Sequence, residues 1–363
     1  MYNVVVFGTG SVANEVTKNV NNNTNILCYL DNDKEKWNKI LHNKNICSPE
    51  KIECLDYDFI IIASQYTEEI YNQLIKLDIN SEKIFEYINF FNMANDRFEH
   101  KMINYKSHSL DYDTIITGIS YFVSGISEDN LNRRGINFSY DSQDLYYDYY
   151  IVKYILENCN NNLKYCIIGL NYYSFEYDLS LSAMKNNVYL YLKKLKKSHH
   201  LEIDKYFEKR IDINKKIANK ILNLIKGKST YGVDQKEKQL IEAVNRKEMG
   251  RVQATLDCNK NYPVTVSENK QILKEYLELL KSYNIKPIIV VCPTSKYYYE
   301  NFSDRIEKEF FSIIKEISHE YDFQYIDYFR NDSFYDEDFK DVSHLNIKGG
   351  IKFTKILNEK IKW

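Results

Sequence analysis

Short apolar runs that stop abruptly in Gly, Ser, Asn or Pro recur along this chain: NVVVFGTG near the start, DFIIIAS at 58–64, TIITGIS at 114–120, YCIIGLN at 165–171 and PIIVVCP at 287–293. A continuous apolar run of this length, without polar alternation, reads as a strand buried on both faces. Between the runs lie stretches of helical period, such as SENKQILKEYLELLKSYN (267–284), with apolar positions at 272, 273, 276, 277 and 280. Strands alternating with helices predict an α/β fold in which mainly parallel sheets are flanked by helices.

At 363 residues the chain is long for one compact unit, and two domains are the natural expectation. The first four strands fall before residue 91, in NVVVF, NILCYLDND, YDFIIIAS (57–64) and SEKIFEYINF (81–90). FFNMANDRFEHKMINYKSHS (90–109) lacks strong apolar alternation and reads as the link. The expected division is a domain over 1–100 and another over 106–363, with the boundary near 105. Residues from about 185 to 262 interrupt the strand rhythm with lysine-rich helical sequence. They read as an insertion in the second domain, a lid or acceptor-binding cap, or simply a solvated face.

A net charge of -2 gives no electrostatic case for a nucleic-acid partner. No apolar run approaches the roughly 18 residues of a membrane span. MYNVVVFGTG carries no leader pattern, and the seven cysteines include no C-x-x-C pair, which predicts a soluble, cytoplasmic protein with reduced thiols. His199 and His200 have no ligand-spaced partners in the sequence, so no metal site is expected.

In the first domain, Gly8-x-Gly10-x-x-Ala13 follows the first strand, and Asp31 ends the second. This resembles the dinucleotide fingerprint, in which glycines allow a tight turn, helix-start N–H groups hold phosphate, and an acidic residue binds a ribose hydroxyl. A first β–α turn also favours glycine without any ligand. The unit is about half the size of a full dinucleotide-binding fold and is similar to small Rossmann-like domains that precede some glycan-modifying enzymes. A nucleotide or nucleotide-sugar at Gly8, Gly10 and Asp31 is the expectation this resemblance implies.

In the second domain, Gly118-Ile119-Ser120 places a serine directly after a buried strand, and Gly169-Leu170-Asn171 places an asparagine after another. Serine there can cap a helix, and asparagine can serve a turn. Near the end, DVSHLN (341–346) sets Asp341 three residues before His344, either as a base and its orienting group or as a loop capping the last helix.

These three pieces and the PIIVVCP strand stand in the order found in the SGNH (GDSL-like) hydrolases, including their O-acetyltransferase and D-alanyl-transfer-like branches, and the chain resembles that superfamily over roughly 110–363. The resemblance implies a flavodoxin-type three-layer domain with Ser120 as nucleophile, His344 as general base and Asp341 as its partner. Asn171 and the Ser139 N–H, aligned within INFSYDS, would form the oxyanion hole. The chain departs from the pattern twice: Ile119 stands where an acidic residue is usual, and Ser139 where glycine is usual. The chemistry suits the residues, because a serine hydroxyl needs a base near pH 7, and imidazole supplies one when a carboxylate holds its other nitrogen.

The expected activity is an esterase or O-acyltransferase, acetyl transfer first among its forms, passing an acyl group from a donor through Ser120 to water or a carbohydrate. The triad itself requires no cofactor. Two alternatives remain: a nucleotide-sugar or NAD-dependent enzyme working through the first domain, and a non-catalytic glycan-assembly protein on a degenerate scaffold.

Overall fold

The computed structural model describes residues 1–94, 97–203, 205–223 and 239–363. The chain divides into two compact units, one formed by Met1–His100 and Ala183–Asp234, the other by Lys101–Ser182 and Gln235–Trp363. Both have the α/β architecture that the apolar runs predict.

The first unit carries a six-stranded sheet of β1 (Tyr2–Phe7), β2 (Thr24–Leu30), β3 (Ile40–Leu41), β4 (Lys44–Cys47), β5 (Phe59–Ile62) and β6 (Ile84–Glu86), in the order β3-β4-β2-β1-β5-β6. All its pairings are parallel except β3 with β4. Strand periodicity sends alternate residues to opposite faces. Val4 and Val6 therefore join one core with Ala13, Val16 and Phe85. Val5 and Phe7 join the other with Ile60, Ile62, Ile70 and Leu74. Two apolar faces explain why β1 reads as an unbroken apolar run.

The structure differs from the sequence reading in three places. The expected strand over 81–90 is only three residues long, because the chain turns into the helix Tyr87–Ala94 directly after Glu86. The expected link over 90–109 is mostly helical, in Tyr87–Ala94 and Arg97–His108. The supposed insertion also splits. The helix Phe207–Ile221 buries Ile213, Ile217, Ala218 and Ile221, spaced as one helical stripe, in the core of the first sheet. Arg210 fixes it there, bonding Glu86 at 2.9 Å and Glu68 at 2.7 Å and stacking 4.0 Å over Tyr71. Lysines on the opposite face of this helix masked the apolar stripe. The helix Arg246–Cys258 belongs instead to the second unit. The portion of the helical reading that falls on 224–238 lies outside the described residues.

The second unit is a five-stranded parallel sheet of β7 (Thr114–Gly118), β8 (Gly135–Asn137), β9 (Tyr165–Leu170), β10 (Lys286–Val291) and β11 (Gln324–Asp327), in the order β11-β10-β9-β7-β8. After β7 the chain first adds β8 on one side and then β9 on the other. The crevice at the carboxyl end of β7 is thus a topological switch point, where open α/β sheets bind ligands. No helix among the described residues is long and apolar enough to cross a membrane.

Candidate active site

β7 ends at Gly118, whose φ of 151° lies where side chains are disfavoured. A Cβ there would also come within 2.9 Å of the Gly169 backbone, because the two glycines face each other across the β7–β9 ladder. Two residues past each glycine stand Ser120 and Asn171, so the register sets both at the same edge of neighbouring strands.

Ser120 occupies the N-cap position of the short helix Tyr121–Gly125, yet its side chain makes no capping bond. Its Oγ instead lies 2.8 Å from His344 Nε2, across 224 positions of sequence. His344 Nδ1 lies 3.0 and 3.1 Å from the two carboxylate oxygens of Asp341. That partner makes Nδ1 the protonated nitrogen and leaves Nε2 to accept from Ser120.

The spacing of Asp341 and His344 works through local backbone geometry. The Ser343 and His344 N–H groups donate to Asp341 Oδ1 at 2.9 and 2.8 Å, an Asx-type turn that fixes the carboxylate before the ring meets it. Phe339 and Leu345 bridge across the base of the loop. Ser124 Oγ, on the Ser120 helix, donates to Leu345 O at 3.1 Å and clips the two arms together. The cap of the final helix, Ile347–Lys360, is Asn346, which accepts from Gly349 N at 2.8 Å. Asp341 is therefore free of the capping role that its position also allowed.

Burial alone would raise the Asp341 carboxyl. The His344 hydrogen bond and charge, with the two backbone donors, outweigh burial and hold it well below the usual carboxylate range. Tyr121 lies flat against the imidazole, ring centroids 4.6 Å apart at 29°. The Tyr121 hydroxyl continues to Tyr298 at 3.4 Å, and Tyr298 donates to Asp257 at 2.8 Å.

Asn171 is buried, with its Oδ1 accepting from Tyr173 N at 3.4 Å and its backbone N–H donating to Ser174 Oγ at 2.8 Å. Its side-chain NH₂ bonds no described residue and remains available as a donor. Ser139 requires a correction. Its N–H, expected in the oxyanion hole, donates to Asn137 Oδ1 at 2.9 Å. The Asn137 amide is pinned in that orientation because its NH₂ donates to Phe122 O at 2.8 Å. An asparagine two residues before a polar turn position carries this Asx signal.

Sequence reading also passed over Tyr121, Ser343, Gln143 and Asp148. Ser343 Oγ lies 3.1 Å from His344 Nδ1 and 3.2 Å from Asp341 Oδ1. Its place inside DVSH was a visible hint, whereas the stacking of Tyr121 exists only in three dimensions.

In the first unit, Gly8, Gly10 and Asp31 do come together, lining a cleft of about 600 Å³ with Thr9, Ala63, Ser64 and Lys36. The Asp31 carboxylate there is already engaged: Thr9 Oγ1 donates to it, and Lys36 Nζ lies at 3.1 Å. Burial would raise this carboxyl, but Thr9, the Asp33 N–H and Lys36 outweigh it and lower it.

The second unit is thus a three-layer α/β unit with a serine, a histidine and an aspartate joined at the switch point of its sheet. Residues 127–362 match the family described as DltD protein, and the chain belongs to that family. Residues 1–85 match the family described as C2185-like, N-terminal. No curated protein matches the chain. Among solved structures it is similar to a protein described as a platelet activating factor from Streptococcus pneumonia, at 10% identity over 81% of this chain and 99% of that one, with a TM-score of 0.39. It is also similar to UDP-D-quinovosamine 4-dehydrogenase from Vibrio fischeri, at 22% identity over 22% of this chain and 73% of that one, with a TM-score of 0.19.

Proposed function

We propose that the chain is a serine-dependent esterase or O-acyltransferase, acting on a carbohydrate or cell-surface polymer through an ester on Ser120. The observation that carries this reading is the 2.8 Å approach of Ser120 Oγ to His344 Nε2, with Asp341 behind the ring. Membership of the DltD family, tied to D-alanine esterification of teichoic acids, supports acyl transfer as the reaction class.

In this mechanism Ser120 Oγ attacks the donor carbonyl as its proton passes to His344 Nε2. Asp341 stabilises the imidazolium that forms. The Asn171 NH₂ and the Ser120 N–H donate to the oxygen of the tetrahedral intermediate, a contribution of a few kcal/mol per donor. Collapse breaks the bond to the leaving group, which takes the proton from His344. The acyl-Ser120 ester is then attacked by water or an acceptor hydroxyl, whose proton returns through His344 to Ser120.

A fluorophosphonate probe tests the reading. Labelling of the full chain that disappears in Ser120→Ala supports it, and an unlabelled parent protein would overturn it. Turnover of acetyl and D-alanyl donors, with and without polyol or sugar acceptors, then separates hydrolysis from transfer.

For the first unit we propose a nucleotide or nucleotide-sugar ligand in the cleft at Gly8 and Gly10. The glycine turn beside an open cleft favours it. Because Asp31 is paired with Lys36, a ribose hydroxyl would have to displace Lys36 or Thr9. Calorimetric titration with NAD and a UDP-sugar tests this, and no heat with either would remove it.

A further inference from the structure

The turn carrying Ser120 lacks the acidic residue that the resemblance leads one to expect. Ile119 stands in its place and is buried, so it offers the turn no polar contact. Another group must hold the backbone of a strand end whose Gly118 sits at a φ of 151°.

The sheet register shows where that group is needed. Phe138 N–H donates to Ile116 O at 2.7 Å, so Ile116 faces β8. Strand alternation then turns Thr117 away and Gly118 back toward β8. The β7–β8 ladder, however, ends at the pair Ile116–Asn137. The Gly118 N–H thus emerges past the last rung, two residues before Ser120, at a buried position where a donor left without an acceptor is unfavourable.

The group that meets this N–H is the Asp148 carboxyl, in the first turn of the helix Leu145–Asn158, which the Gly118 N–H stabilises in its charged form. Its side chain is buried, and Gln143 Nε2 donates to its Oδ1 at 2.5 Å while also donating to Phe138 O at 3.0 Å. Gln143 is itself fully buried. The carboxyl group is therefore tied on one side to the chain leaving β8 and on the other to the chain leaving β7. Burial pushes the Asp148 carboxyl well above the usual carboxylate range, with the Asp144 charge adding to the rise against the hydrogen bonds from Gln143 and Gly118. A neutral carboxyl keeps an acceptor for Gly118 without placing a bare charge under the sheet edge.

We propose that Asp148 is a positioning residue for the nucleophile: by accepting the Gly118 N–H and being held by Gln143, it sets the Gly118–Ser120 turn at the angle that brings Ser120 Oγ to His344. This rests on the acyl-Ser120 reading for its catalytic consequence but not for its structural content. Asp148 touches no reacting atom and acts through the backbone alone.

The test compares Asp148→Leu and Asp148→Asn with the parent, in the full chain. In fluorophosphonate labelling, Asp148→Leu is expected to lower the maximal inactivation rate by about 10- to 100-fold, as a misplaced reacting group does, while half-saturation by the probe is unchanged. Asp148→Asn keeps one carbonyl acceptor and is expected to retain most of the rate. A folded Asp148→Leu protein that labels at the parental rate overturns the proposal. Hydrogen exchange at the Gly118 amide gives a second, independent measurement. It is expected to quicken at least about tenfold in Asp148→Leu while the Ile115 and Thr117 amides hold, and unchanged protection of Gly118 overturns the proposal even if labelling falls. Should Asp148→Leu not fold, the same two measurements on Asp148→Asn decide: both must stay near parental values, and a loss of both without loss of the acceptor overturns the proposal. If the parent itself does not label, the acyl-Ser120 reading fails, and Gly118 exchange alone decides the role of Asp148.

Discussion

The two units solve the same architectural problem and finish it differently. In each, the first strand becomes an internal strand because the next strand pairs on one side and a later strand on the other. Each of these strands ends in or runs directly into a glycine with positive φ, Gly8 at 117° and Gly118 at 151°. The switch point is thus present twice, and the difference lies in what the polar groups at the edge do. In the first unit Thr9, Asp31 and Lys36 satisfy one another around the cleft. In the second, among the described residues, none accepts from the Asn171 NH₂, and the Ser120 hydroxyl reaches His344. On the proposed reading, a sheet edge suits reaction where its polar groups are aimed at a common point, and suits binding or a mere turn where they close on one another.

Removing the aimed groups of the second unit is expected to have the largest effects. Ser120→Ala is expected to lower any acyl turnover by about 10³-fold or more, because it removes the hydroxyl on which the proposed ester forms. Rates of a chromogenic acetyl ester measure it, and residual turnover near the parental level would place the chemistry elsewhere in the chain. Asn171→Ala comes next, with an expected fall of about 10²- to 10³-fold in kcat and little change in KM, the signature of a donor used only in the transition state. A change in KM alone would return Asn171 to the turn role that its bond from Tyr173 N also fits.

The strands, the α/β class and the order of the pieces were legible because a strand buried on both faces has few sequence solutions. The meeting of Ser120, His344 and Asp341 was legible as well, since each sits at a strand end or in a local turn whose geometry is short-range. The assignment of 205–223 was not, because its apolar stripe is shared with lysines and its partners Val4, Ile61 and Phe85 lie more than a hundred positions away. Ser139 misled for a related reason. Alignment placed the residue, but whether its N–H is free depends on the side chain of Asn137. Asp148 was invisible because LYYDYY reads as one more polar position on an aromatic helix, and only the sheet register reveals the donor it meets.

The first unit can be probed without touching the second. A Cβ on Gly8 would stand 2.4 Å from Ala63 O, and the backbone there has a φ of 117°. Gly8→Ala is therefore expected to destabilise the chain by about 1–3 kcal/mol. Urea unfolding should show this, while fluorophosphonate labelling of Ser120 in native buffer should not change. Equal losses in both measurements would mean that the two edges are not independent.

The smallest expected effect is also the most specific to the closed edge. Asp31 lies in an ion pair whose partner, Lys36, is 43% exposed, so solvent screening limits the pair to less than about 1 kcal/mol. The carboxyl is held lower in the folded chain than in the unfolded one, so its contribution is present above the unfolded carboxylate value, near pH 4, and is lost as pH falls through the folded value. Asp31→Asn removes the charge while leaving an oxygen for Thr9. The parent should then exceed Asp31→Asn in thermal stability by a small, constant margin above about pH 5, and the margin should shrink as the solution is acidified further. A margin that instead grew toward low pH would mean that burial, not Lys36 and Thr9, governs Asp31. The carboxylate would then be an unsatisfied group at the cleft, and the first unit's edge would resemble the second's more closely than its hydrogen bonds suggest.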